Sequence, residues 1–282
     1  MGDVLWTEPL VNELAKKNKK IVLFTEFPAL FDNYPLKNVS VRKIPSNLQR
    51  TVLQVFNFFS GNKIYHKLDG IYESMPKMHM LHAYQKYFSL PQKNKYPSLY
   101  LTEEEKKPIK GLPANYVVIH LDANMTLNYR KVYGVDWNEI VSYLRSKGLS
   151  VVVTGDHAEH WKDAIVYNGS LRQLIQLIYN CRFFIGMDSG PSHIAASLQK
   201  PSLVFFGSVN PAYRQFPELF KGFFLQQPCE FAGCYHEVIS GEGQPCKLVG
   251  DAGIPKCSLH TNDYVKKHID LLIEKYNLVA AV

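Results

Sequence analysis

The sequence predicts an α/β protein built from two βαβ-type halves with parallel sheets. Three observations carry that expectation. Short apolar runs rich in Val, Ile and Phe, such as IVLF at 21–24 and SLVFFG at 202–207, alternate with segments of helical period. A length of 282 residues suits two domains, and 46% apolar against 20% charged residues is the balance of a chain that buries cores. Residues 89–113 (SLPQKNKYPSLYLTEEEKKPIKGLP) carry Pro, Lys and Gly without period, which marks them as a linker between the halves.

The elements follow in order. A helix over about 8–17 puts Leu10, Val11, Leu14 and Ala15 on one face. Strands are expected at 21–25 and 39–44, a helix near 47–59, a short strand at about 63–68 and a helix over 79–88. In the second half, NYVVIH (115–120) reads as a strand, and the helix over 136–147 stops at Gly148. SVVVTG (150–155) is the next strand, and Ser170 caps a helix whose Leu171, Leu174, Ile175 and Ile178 share a face. CRFFIGM (181–187) reads as a buried strand, PSHIAASL as a helix and PSLVFFG as a further strand, with a last helix over 262–276. The expected division is 1–100, 114–260, and a terminal helix and tail at 261–282.

Composition excludes several classes. No stretch approaches the roughly 18–20 apolar residues of a membrane span, and the opening MGDVLWTEPLVNEL has acids where a signal peptide needs a basic end. A soluble intracellular protein is expected. The charge of +7 is spread along the chain, and KKNKK at 16–20 and EEEKK at 103–107 read as solvated clusters. Aromatic residues do not interleave with basic ones as in single-strand nucleic-acid platforms, so nucleic acid is not an expected partner. Phe56, Phe58 and Phe59 read as core or cleft lining, and His79, His82 and Tyr84 as a helix face toward an acceptor cleft or a half-buried amphipathic face. Five cysteines argue against a disulfide framework. Cys181 reads as core packing, while Cys229, Cys234, Cys246 and Cys257 suit a structural zinc, one or two disulfides, or free thiols.

The segment 183–211 is the most informative. A buried strand ends at Asp188, two small residues make a tight turn, and Pro191 opens a helix where its missing N–H costs nothing. The free amides around Ser189, Gly190 and Ser192 would then meet an anion, with His193 in the first turn beside it. A turn capped by its own side chains is the competing reading.

Asp-Ser-Gly-Pro-Ser-His-Ile-Ala-Ala-Ser-Leu at 188–198, with Lys-Pro and Phe-Phe-Gly-Ser-Val-Asn-Pro after it, resembles the nucleotide-sugar signature of the heptosyltransferase-like glycosyltransferases of family 9. Gly2-Asp3-Val4 is similar to that family's opening motif, and MPKMHMLHAY (75–84) and the late cysteines also look familial. The resemblance implies the GT-B architecture, two Rossmann-like domains facing across a cleft. The family has a strand ahead of Gly-Asp-Val and this sequence opens on the motif, so either residues upstream are missing or the sheet is built without its first strand, and a reduced N-terminal domain is expected. It also implies inverting, metal-independent transfer of a heptose-like sugar from a nucleotide diphosphate to a bacterial envelope glycan, such as lipopolysaccharide core. Asp3 matches the family's catalytic base, beside Gly2. Lys131 matches the donor-phosphate cation, with Arg130 as runner-up because the loop before Trp137 is one residue shorter. Glu159 is similar to an acid near the nucleoside, and Asp188, Ser189, Gly190, Pro191 and His193 form the pyrophosphate cradle. No cofactor is expected for catalysis, and a cytoplasmic enzyme in peripheral contact with the inner membrane surface fits such an acceptor. Two rival readings are a transferase acting on modified bases in DNA and a nucleotide-sugar-binding protein without catalysis.

Overall fold

The computed structural model describes residues 1–17, 19–59, 65–122, 128–155, 161–237, 246–250 and 252–278. The N-terminal part runs α1 (Gly2–Leu5), α2 (Glu8–Lys16), β1 (Ile21–Thr25), β2 (Val39–Lys43), α3 (Asn47–Phe59) and α4 (Met80–Tyr87). Pro9 sits in the first turn of α2, where its fixed φ suits the helix. His79 caps α4, its Nδ1 accepting from the Leu81 N–H at 3.1 Å. Among the described residues, β1 and β2 pair in parallel as a two-stranded sheet.

The C-terminal part runs β3 (Tyr116–His120), α5 (Trp137–Ser146), β4 (Ser150–Val153), β5 (Ile165–Val166), α6 (Leu171–Asn180), β6 (Phe183–Met187), α7 (Gly190–Ser197), β7 (Ser202–Phe205), β8 (Gly222–Leu225) and α8 (Asn262–Tyr276). Its strands form one parallel sheet in the order β5-β4-β3-β6-β7-β8. A parallel sheet must be covered on both faces, and alternation along β3 divides the work. Val117 and Ile119 face Ile140, Val141 and Leu144 of α5 and Val265, Ile269 and Leu272 of α8. Tyr116 and Val118 face Ile175 and Ile178 of α6 and Ile194 of α7, with Leu5, Leu30 and Phe31 joining from the N-terminal part. The three α8 side chains are fully buried. At roughly 1.5–3 kcal/mol each, they suffice to dock that helix.

Three expectations need correction. Residues 89–113 contain no helix or strand, but they do not hang free. Leu90 and Tyr96 are buried with Trp6 and Met80, while Leu99, Leu101, Ile109 and Leu112 pack on the α6–α7 side of the sheet. Within the EEEKK cluster, Glu105 is held by Arg172 of α6 through two hydrogen bonds of 2.6 Å. The Arg172 guanidinium also donates to the Tyr100 and Ala29 carbonyls. Of the strand expected at 63–68, residues 65–68 are irregular, and 63 and 64 lie outside the described residues. The side chains of Phe56, Phe58 and Phe59 lie outside the described residues.

Candidate active site

The chain order of the sheet fixes where a ligand can go. From β3 the chain moves outward to β5, then returns to lay β6 on the other side of β3. Beyond the carboxyl ends of β3 and β6 the connections part in opposite directions, which leaves the crevice where open α/β sheets bind ligands. A cavity of about 420 Å³ lies there. His120 and Asp122 reach it from the end of β3, and Asp188, Ser189, Gly190, Pro191 and His193 from the β6–α7 turn. Arg130, Leu174, Arg214 and Tyr235 add to its walls, while Met1, Gly2, Asp3 and Tyr72 close it from the N-terminal part. A second hollow of about 460 Å³ beside Asn94–Leu99 is lined by no carboxylate or imidazole, so the acid–base chemistry belongs to the first.

The β6–α7 turn is built from side chains that bond to their own backbone. Asp188 is anchored by its N–H to the Phe205 carbonyl at 3.0 Å. Ser189 is extended, Pro191 follows in the first turn, and the Ser192 hydroxyl accepts from the Ser189 N–H and donates to the Ser189 carbonyl, so the Ser189 and Ser192 amides expected to be free are instead taken up within a self-capped turn. The start of α7 is thereby aimed at the cavity with its dipole positive. Around it are buried polar atoms without a hydrogen-bond partner: Ser189 Oγ, Asp188 Oδ2 and Arg130 Nε. Buried groups of this kind need partners, and a polar ligand in the cavity would supply them. Arg130 Nη2 stands 3.8 Å from Asp188 Oδ2. Burial opposes the Arg130 charge, yet Asp188 in front of it, with Tyr235, Tyr129 and Asp3, holds it above its ordinary range.

Across the cavity, Asp3 is exposed on α1 and accepts from the Tyr72 hydroxyl at 3.3 Å. Burial, with Asp3 and Glu73 nearby, pushes the Tyr72 phenol upward, so it remains a donor. The Arg214 guanidinium lies 5.2 Å from the Tyr72 ring and 5.7 Å from the Tyr235 ring, a buried cation held by two aromatic faces. Gly207, just after β7, lets the chain approach the Tyr129 carbonyl so closely that a Cβ would overlap it, and this packs the Arg130 loop against the sheet.

Asp3, Gly2, Arg130, Asp188, Ser189, Gly190, Pro191 and His193 therefore share one cavity, although 185 or more residues separate its two ends in sequence. Lys131 is partly exposed and is not among the lining residues. Glu159 lies outside the described residues. His79 and Tyr84 belong to the core rather than the cleft. His79 stacks on Phe216 at 3.9 Å, and burial lowers its pKa to about 2. His82 pairs instead with Asn94 at 2.8 Å. Arg214, Tyr72, Tyr235, His120 and Asp122 are lining residues that no motif spacing pointed to.

All five cysteines are free thiols, so no disulfide forms. Cys181 is buried, donates to the Ile178 carbonyl, and is pushed up to about 12 by desolvation. Cys229, Cys234, Cys246 and Cys257 are near enough for their charges to interact. Burial and then neighbouring thiols raise Cys234, and burial first takes Cys257 to about 11. Among the described residues, no three His, Cys, Asp or Glu side chains stand in a metal-holding arrangement.

Comparison with known proteins agrees with this geometry. Over 98% of the chain and 74% of the other, the fold matches the iron-containing dodecameric glycosyltransferase TibC of enterotoxigenic E. coli H10407 at 16% identity and a TM-score of 0.74. A family 9 glycosyltransferase of Veillonella parvula DSM 2008 matches at 15% identity over 98% and 95% of the two chains, with a TM-score of 0.66. E. coli ADP-heptose lipopolysaccharide heptosyltransferase II matches at 14% identity over 98% and 96%, with a TM-score of 0.62. These likenesses show the fold, a parallel α/β architecture of GT-B type. No curated protein matches by sequence. The family pattern for glycosyltransferase family 9 (heptosyltransferase) matches residues 72–217, more than half of the 282. With the switch-point cleft beneath it, that match identifies the chain as a glycosyltransferase belonging to family 9.

Proposed function

We propose that this enzyme moves a heptose-like sugar from a nucleotide diphosphate donor to a bacterial envelope glycan such as lipopolysaccharide core, with inversion and without a catalytic metal. The observation that carries the reading is the carboxylate of Asp3 sharing a cavity with the start of α7 and two guanidinium groups. Asp3 takes the proton of the acceptor hydroxyl as its oxygen attacks the anomeric carbon. The bond from that carbon to the diphosphate oxygen breaks on the opposite face, and its electron pair leaves with the nucleotide. The positive end of the α7 dipole, Arg130, Arg214 and the His193 ring line that cavity and would meet the charge. Between the two loop cations, lining of the cavity favours Arg130 over Lys131.

ADP-heptose is the donor to test, since heptosyltransferase II carries it in its name. A lipid-linked acceptor would bring the enzyme to the inner membrane surface from the cytoplasm, and no described helix is long and apolar enough to cross a membrane. TibC is described as iron-containing. A structural metal, zinc or iron, at Cys229, Cys234, Cys246 and Cys257 is part of the proposal, although the thiols as they stand do not form a ligand shell.

Thermal unfolding with ADP, UDP, GDP and ADP-heptose tests the donor site. A donor at 100 times its Kd adds ~2.7 kcal/mol. That raises Tm by roughly 5 °C in a chain of this size. No shift with any nucleotide, in protein that unfolds cooperatively, would remove the donor site.

A further inference from the structure

His193 is gripped on several sides, and the grip decides which nitrogen carries its proton. The Trp6 indole Nε1 lies 3.1 Å from His193 Nδ1, and Gln215 Nε2 lies 3.0 Å from the same atom. An indole N–H can only donate. Nδ1 must therefore accept, Gln215 must present its NH2 rather than its carbonyl, and the single proton of the neutral ring sits on Nε2. That nitrogen is the one turned to the cavity side, 3.7 Å from Asp188 Oδ1. Gly2 lies against the same edge of the ring, since a Cβ there would stand 2.6 Å from Cδ2 and 3.2 Å from Nε2. Trp6 is itself fixed, fully buried among His79, Tyr96 and Phe216.

We propose that Trp6 and Gln215 are positioning residues that lock His193 as its Nε2–H tautomer, making it a hydrogen-bond donor to the donor diphosphate and unfit to act as a base. The phosphate role rests on the function proposed above; the tautomer does not. The ring is neutral in this setting. Desolvation opposes its charging most, Asp188 and Asp3 favour it, and Arg214 and the Met1 amino group oppose it. His79 also faces it and is itself held neutral. A neutral Nε2–H adds a donor beside the Arg130 and Arg214 cations without a further positive charge that would bind Asp188 in place of ligand.

The test is a long-range 1H–15N spectrum of the full chain labelled at histidine, with His193 assigned by its loss in His193→Gln. The expected spectrum at neutral pH shows a protonated Nε2 and a bare, hydrogen-bonded Nδ1. In Trp6→Phe/Gln215→Leu the tautomers should mix. Transfer from ADP-heptose should slow with the fraction of rings that lose the Nε2 proton, by about two- to fivefold, short of the roughly 10- to 100-fold that deleting one hydrogen bond to a charged group would cost. In a His193→Gln background the side-chain NH2 donates whatever Trp6 does, so adding Trp6→Phe should leave the rate unchanged. A proton on Nδ1 in the unliganded chain overturns the inference whatever the cleft binds. An equal cost of Trp6→Phe in both backgrounds also overturns it, because Trp6 would then act only through packing. If Nε2 is protonated but ADP moves no His193 signal, the role at phosphate fails together with the donor reading.

Discussion

Replacing Arg130 with methionine keeps the length of the side chain and removes its charge from the cavity. Arg130 stands 3.8 Å from Asp188 and has a buried Nε with no hydrogen-bond partner, so it is oriented and still has a bond to give. At that separation the gross attraction between unit charges is about 4 kcal/mol at an effective dielectric of about 20. Much of that is offset by desolvation, and the useful part appears when the sugar–phosphate bond breaks and charge grows on the diphosphate. A preorganised donor aimed at such charge contributes about 2.7–4 kcal/mol. Transfer is therefore expected to slow by about 10²- to 10³-fold. Lys131→Ala should change it by about twofold or less, because that side chain does not line the cavity. The assay is release of ADP from ADP-heptose with acceptor in excess, on variants whose Tm matches the parent. Parent-like turnover by Arg130→Met, or the whole loss appearing in Lys131→Ala, would refute the assignment.

Gly190→Val should abolish nucleotide binding in folded protein, since its side chain would stand at the start of α7 and overlap Met1; unchanged affinity by calorimetry would contradict the cradle. Arg172 holds the Glu105 carboxyl at a pKa of about 2, so the pair's stabilisation is complete above the unfolded value near 4.5 and is lost as pH falls toward 2. With the pair part-exposed, about 2 kcal/mol should disappear over that window in the parent and not in Arg172→Ala; parallel acid-unfolding curves would show that the clamp contributes nothing. Purified protein should carry about one zinc or iron per chain if the four late cysteines share a metal. Native thiol titration accounting for all of them, with no metal found, would leave them as free thiols.

Much of the fold was legible because burial on both faces of the parallel sheet leaves long apolar runs: 116–119, 151–153, 183–187 and 203–205 could hardly be anything else. β5, with two exposed residues, carries no such signal. Residues 89–113 read as a linker because the strap is held by Arg172 and by scattered apolar residues, which follow no period. In the site, the Asp188–His193 turn announces itself through local chemistry. Arg214 does not: its place is set by the rings of Tyr72 and Tyr235, which lie far from it in sequence, 142 residues in the case of Tyr72. Nor could sequence choose between Arg130 and Lys131, since which of two adjacent cations turns inward depends on how the loop packs beside Gly207.

The most direct test of the whole account is Asp3→Asn, measured twice on the same preparation: calorimetric affinity for ADP-heptose, and the rate of sugar transfer. Asp3 meets the cavity from α1, opposite the β6–α7 turn, and accepts from the Tyr72 hydroxyl, a bond that an amide oxygen can also accept. The expected result is donor affinity within about twofold of the parent and transfer lower by about 10²–10⁴, the worth of a general base. Near-parent transfer by Asp3→Asn, with donor still bound, would contradict the proposal that this carboxylate takes the acceptor's proton.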